Sequence, residues 1–198
     1  MFGIELNRNS LLDRLEYSLT KKEVLQLSNS FFDAGIYPDE VIGICLSKNA
    51  SKAFHAAWVL ENMIMLQPES IDYYLPEIVL KLPEIKNPSV CRHFAKLTAI
   101  GLMRIAKKQV SKVMERQFWR LNLQPLEEIC FLWLVDSEVK PAIKAHSMDI
   151  LLILSSRQKW IMEALPSIIE NQIVVGSPAI IAKGKEVLKC LAKNKIKP

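Results

Sequence analysis

Leu75-Pro76-Glu77-Ile78, followed by Asn87-Pro88-Ser89-Val90-Cys91-Arg92-His93 and running on to Leu102, is the stretch whose reading decides the fold. Its pieces recur. Leu165-Pro166-Ser167-Ile168 precedes Ser177-Pro178-Ala179-Ile180, and the interval from Pro166 to Pro178 equals that from Pro76 to Pro88, 12 residues. A third copy of the second half stands at Lys140-Pro141-Ala142-Ile143. With the proline of each second half as zero, offset +2 holds Val90, Ile143 and Ile180, and offset +9 holds Leu97, Ile150 and Val187. Offset +13 holds Gly101, Leu154 and Leu191, and offset +6 holds Phe94, Ser147 and Gly184, mostly small. Offsets of 2, 6, 9 and 13 trace one face of an α-helix. Asn49-Ala50 enters the same register with Ala56, Val59 and Met63, although Lys52 stands at +2 and the proline is missing.

Start and stop signals extend this pattern over the chain. Residues 1–8 read as a loose lead-in, and Asn9 or Ser10 begins a short helix through Leu19. Thr20-Lys21-Lys22-Glu23 has capping-box spacing, and Gly35 stops the helix that follows. Pro38-Asp39-Glu40 opens another, with the proline where its missing N–H costs nothing. Further helices are expected over 50–66, 71–85, 88–105, 107–121, 125–136, 140–156, 159–171 and 178–192, with a frayed basic tail from Lys193. Pro76 and Pro166 fall inside helices, and a bend is expected at Pro76. The total is about eleven helices on loops of two to six residues, the lengths that join antiparallel neighbours. No long linker interrupts the chain, which reads as one all-α domain over 1–198.

Composition agrees. The chain has 198 residues, 50% hydrophobic and 24% charged, with only six glycines, which describes a globular helical protein. The net charge of +5 permits an acidic protein partner or nucleic acid without requiring either. Cys45, Cys91, Cys130 and Cys190 are far apart in apolar helical patterns and form no CxxC, so they read as small buried residues in a reducing compartment. Neither a signal peptide nor an apolar run long enough to span a bilayer is evident, and the expectation is a soluble cytoplasmic protein with no membrane partner.

The doubled element resembles the HEAT repeat. In that family a first helix carries a Leu-Pro element and bends at the proline, and an Asp/Asn-Pro-x-Val turn opens a straighter second helix with small residues near its middle. Leu75–Ile78 with Asn87–Val90, and Leu165–Ile168 with Ser177–Ile180, match both halves; Phe131-Leu132-Trp133-Leu134 before Lys140–Ile143 lacks Leu-Pro. The likeness covers roughly residues 36–192. The arginine that the family keeps after the valine is replaced by Cys91, Lys144 and Ile181. Successive registers lie 38, 53 and 37 residues apart, so the middle interval holds an extra helix, 107–121. The resemblance implies an α-α superhelix, a HEAT-like solenoid, in which pairs too small to bury their own stripe stack and share a core. It also implies a concave surface of second helices where partners bind.

Candidate binding residues border that stripe. His55, His93 and His146 all stand at offset +5, where the fourth copy has Lys183. An imidazole at a stripe edge packs its ring and bonds a neighbouring helix; the sharper alternative is a titratable ladder along the groove. A metal site is not expected, because stacked helices lie about 10 Å apart and zinc ligands about 2 Å from the ion. Phe54, Trp58, Arg92, Lys96 and Asp149 lie near the same edge and make a candidate protein-binding surface, since Trp and Arg are common hot-spot residues. The plainer alternative packs Phe54 and Trp58 under the N-terminal helices as core.

Lys108, Lys112, Arg116 and Arg120 form an i, i+4 stripe that either tracks phosphates or is the solvated face of an amphipathic helix. HEAT-like DNA base-repair glycosylases use an aspartate and tryptophans in a basic concave cleft, and Asp149 and Trp58 are the residue types here that correspond. There is no glycine-rich phosphate loop, HExxH or GxSxG. The leading expectation is therefore a non-catalytic scaffold for a protein partner, with no cofactor and no metal. Nucleic-acid binding is the alternative.

Overall fold

The computed structural model describes residues 8–194, with Asn194 described for its backbone only. Most of the expected lead-in, and Lys195 and Lys197 of the basic tail, lie outside the described residues. Arg8 already belongs to the first helix and its side chain pairs with Glu40.

Eleven α-helices and three 3-10 turns follow one another among the described residues, with no strand. They are α1 (Arg8–Asp13), α2 (Lys21–Asp33), α3 (Pro38–Cys45), α4 (Ala50–Leu66), α5 (Ile71–Lys81), α6 (Pro88–Ala106), α7 (Lys112–Phe118), α8 (Gln124–Val135), α9 (Pro141–Leu154), α10 (Lys159–Val175) and α11 (Pro178–Asn194). The Thr20 capping box is formed as expected, whereas Asn9 and Ser10, expected to begin the first helix, lie inside it. The Thr20 hydroxyl accepts from Glu23 N–H while the Glu23 carboxylate accepts from Thr20 N–H. Asn49 and Asn87 each cap the helix behind them through their side-chain oxygen. Gly35, at φ +67°, closes α2 with paired bonds from its own N–H to Phe32 and from Ile36 N–H to Phe31.

Helix pairs make the architecture. α3 packs on α4, α5 on α6, α8 on α9 and α10 on α11. The second helices also pack on one another in order, α4 on α6, α6 on α9 and α9 on α11, and the first helices contact in the order α3, α5, α8, α10. The offset stripe faces these contacts. Val90, Ile143 and Ile180, then Leu97, Ile150 and Val187, then Leu154 and Leu191 are all buried. Each such side chain contributes about 1.5–3 kcal/mol when removed from water. One buried cluster runs from Leu11 to Leu191.

The helix expected over 107–121 is shorter. α6 continues to Ala106 and then turns through Lys108, at φ 56°, with Lys108 N–H bonded to Ile105 and Gln109 N–H to Arg104. That bond pair is a left-handed helix stop, which normally takes glycine. A new helix must then be capped, and the Ser111 hydroxyl does so by accepting from Met114 N–H. Lys108 therefore stands in the turn and Arg120 beyond the end of α7. Val113, an apolar residue of α7, is exposed. The helix expected over 71–85 likewise ends at Lys81 and passes into a 3-10 turn, Leu82–Glu84. α5 and α10 each remain helical through their internal proline.

Gly101 shows how closely a pair packs. A Cβ built there would lie 2.5 Å from Leu75 Cδ1, and Leu75 is fully buried. The leucine of Leu75-Pro76 thus fills the notch that glycine leaves on α6. Gly43 of α3 is exposed, with nothing within 4 Å of a Cβ.

Gly43 and Gly101 carry opposite stability predictions. Gly43→Ala should stabilise by about 0.5–1 kcal/mol from helix propensity alone. Gly101→Ala should destabilise by about 1 kcal/mol, because overpacking outweighs the same gain. Urea midpoints at unchanged slope measure both, and equal shifts would remove the notch. Lys108→Gly, which relieves the left-handed strain, should raise the midpoint by an amount corresponding to about 1 kcal/mol.

Candidate functional site

A row of polar side chains crosses all four second helices at the edge of the stripe. It begins on α4, where the rings of Phe54 and Trp58 stack at 5.9 Å and Phe54 also meets His93 at 5.9 Å. Both aromatics are half-buried; Trp58 packs against the core while keeping part of its surface open. One turn on, Glu61 binds two groups of α6: His93 Nδ1 lies 2.7 Å from Oε2 and Lys96 Nζ 2.7 Å from Oε1. Arg92, exposed, places a guanidinium nitrogen 3.0 Å from His93 Nε2. The hydrogen-bond geometry assigns the tautomer: Nδ1–H donates to the carboxylate and Nε2 accepts from the arginine.

Burial pushes the Glu61 carboxyl pKa up, but the hydrogen bonds from His93 and Lys96, with the charge of Lys96, outweigh it and hold it at about 2. The row continues on α9. Burial lowers the pKa of His146, Asp149 acts in the opposite sense, and Lys96, Glu61 and Lys183 also act on the ring. α11 closes it, with Lys183 Nζ 3.1 Å from Asp149 Oδ1 and 3.0 Å from Glu186 Oε2. Burial alone would lower the Lys183 pKa; its two carboxylate partners raise it. Between α6 and α9 a cleft of about 370 Å³ opens, lined by Lys96, Ile100, Met103, His146 and Asp149 among others.

His55 stands apart from this chemistry. It is buried and donates Nδ1–H to the Leu15 carbonyl at 2.9 Å, tying α4 to the 3-10 turn Arg14–Glu16. His55 and His93 thus pack and bond neighbouring elements, as stripe-edge imidazoles do. The structure brings Phe54, Trp58, Arg92, His93 and Lys96 together at the α4–α6 contact and sets His146 and Asp149 one helix further along.

Lys108, Lys112, Arg116 and Arg120 gather elsewhere. They line a groove of about 760 Å³ over α7, together with Val110, Glu115, Trp119 and Arg157. A second cleft of about 520 Å³ shares Trp119 and Arg157 with it, and its other walls include Glu127 and Trp160. Sequence reasoning passed over Trp119, Glu127 and Arg157. Glu127 had one signal, standing in the stripe Leu123, Glu127, Cys130, Leu134 where every other member is apolar. The Asp72–Arg104 fork, with bonds of 2.7 and 2.9 Å between α5 and α6, had none.

Reactive groups are few. Cys45, Cys91 and Cys130 are buried free thiols; burial pushes Cys91 to about 11 and Cys130 to about 12. Among the described residues no three His, Cys, Asp or Glu side chains group as metal ligands would, and no helix is long and apolar enough to cross a membrane. Comparison with family models, curated proteins and solved structures returned no match.

The Glu61 pKa carries a pH prediction. A carboxyl held below its unfolded value of 4.5 contributes stability that is complete above that pH and lost as pH falls toward 2. Glu61→Gln should therefore cost on the order of 2 kcal/mol at pH 7. The gap from the parent should close between pH 5 and pH 2 in denaturant titrations.

Proposed function

We propose that this chain is a HEAT-like α-solenoid that acts as a non-catalytic scaffold and holds a protein partner on its second-helix face. The observation that carries the reading is the continuous row from Phe54 and Trp58 through Arg92 and Lys96 to Asp149 and Lys183. It offers half-buried aromatic surface beside an exposed arginine, the combination typical of interface anchors. Its charges are mostly paired within the row, so the face is pre-ordered and little side-chain freedom remains to be lost on binding. A partner suited to it brings an aliphatic or aromatic anchor to Phe54 and Trp58 and a carboxylate to Arg92.

The contacts between successive second helices, the Leu-Pro and Asn-Pro-Ser-Val elements and the Gly101 notch support the solenoid reading. The cytoplasm suits a chain with four unpaired cysteines.

The test compares the wild-type chain with a Trp58→Ala, Arg92→Ala, Lys96→Ala triple variant as bait in quantitative pull-downs. A Lys21→Ala, Lys22→Ala variant, changed at exposed sites far along the chain, serves as control. At least one protein should be retained by the wild type and the control and lost, by tenfold or more, with the triple variant at unchanged circular dichroism. Identical retention by all three baits would remove the reading.

A further inference from the structure

The α7 groove shares no residue with the row just described, and its electrostatics differ. In the row, Lys96 and Lys183 each have a carboxylate within 3.1 Å, and outside it Arg104 forks onto Asp72. In the groove five cations face one carboxylate, Glu115, and that one leans on Arg157 at 3.6 Å. Lys108, Lys112, Arg116 and Arg120 have no acidic side chain within ion-pair distance among the described residues. Lys112 and Arg116 are one helical turn apart on α7, and Arg116 Nε is held by the Lys112 carbonyl at 3.1 Å. Four unneutralised cations in one concavity concentrate positive potential there.

The adjoining cleft has a different character. The Arg157 guanidinium lies 4.7 Å from the centre of the Trp119 ring, and this pair forms the wall common to the two concavities. The Trp119 indole N–H is buried and has no hydrogen-bond partner among the described residues. Trp160, 45% exposed, tilts against Phe131 at 5.2 Å and presents its remaining surface to solvent. Gln124, Gln158 and Glu127 contribute amide and carboxyl edges. Burial raises the Glu127 pKa, and the charge of Glu128, which lines the same cleft, adds to it.

We propose that groove and cleft together form a binding site for single-stranded nucleic acid, with phosphates along Lys108, Lys112, Arg116 and Arg120 and one unpaired base in the cleft beside Trp119 and Trp160. Unpaired bases seek aromatic faces and edge hydrogen bonds, and the backbone seeks unpaired cations. A duplex offers neither an open base face nor an edge that reaches into a cleft of about 520 Å³. α7, at seven residues, is also too short to lie along a major groove as recognition helices do. DNA and RNA share this chemistry, and the measurement separates them.

The experiment is fluorescence anisotropy of a labelled 12-nucleotide strand, as DNA and as RNA, against the full chain from 50 to 200 mM salt, with the matching duplex and inorganic polyphosphate for comparison. One of the single strands should bind more tightly than the duplex, with the tighter identifying the sugar, and affinity should fall steeply with salt. Lys112→Gln with Arg116→Gln, both exposed, should weaken binding at least tenfold and lower the salt slope by about 1.4, the share of two phosphate contacts on a single strand. Trp160→Leu keeps an apolar contact with Phe131 but removes the stacking plane; it should weaken the strand about tenfold and leave polyphosphate unchanged. No binding of either strand at 50 mM salt, equal binding of duplex, or indifference to the Lys112 and Arg116 changes would overturn the proposal. Equal effects of Trp160→Leu on strand and polyphosphate would overturn its base-binding half.

Discussion

Every second helix in this protein must bury its apolar stripe against more than one neighbour, and the rest of the structure answers to that requirement. A single helical hairpin covers only part of such a stripe, so α6 is covered by α5, α4 and α9 together. Close approach on several sides explains the small residues at the middle of these helices. Gly101 admits Leu75, Gly184 sits under Ile169 and Ile173, and the Ser147 hydroxyl is bonded back to the Ile143 carbonyl so that no polar atom is stranded. Lys144, buried beside the stripe, meets the same demand by donating to the Leu134 carbonyl and to Gln172.

Where the stripe meets water, the same packing brings charged residues of successive helices within reach. Glu61, Lys96, Asp149 and Lys183 are too near the core to remain unpaired, and each finds a partner on the next helix. The result is a face whose polar groups are held in place by contacts between helices. The surface over α7 is governed differently. α7 is short and joined through a left-handed turn, it packs mainly on α5, and its cations project into a groove whose one carboxylate, Glu115, leans on Arg157. One chain thus presents two surfaces of opposite electrostatic habit, one neutralised and one strongly positive.

Much of the helical layout was legible in residue order because it is local. Thr20, Asn49 and Asn87 cap their helices through bonds to residues two or three positions away, and Gly35 ends one through its own φ. Such effects do not depend on the rest of the fold. The error at 107–121 arose because Lys108 adopts a conformation that disfavours a side chain, so no glycine marked the stop. The offset pattern also placed Val90, Leu97, Ile150 and Val187 in the core, since periodicity alone decides which residues share a helix face.

Amino-acid order by itself therefore determined most of the helices, the caps at Thr20, Asn49 and Asn87, the buried faces of the second helices and the shared edge position of His55, His93 and His146. Tertiary structure decided what those edges became. His55 was turned onto a backbone carbonyl, while His93 was clamped between Glu61 and Arg92. Only the packed chain could bring Trp119 beside Arg157, 38 residues away, and set both beside Glu127 and Trp160. Local propensity acts over a few residues, whereas a cleft depends on which distant helices bury the same stripe.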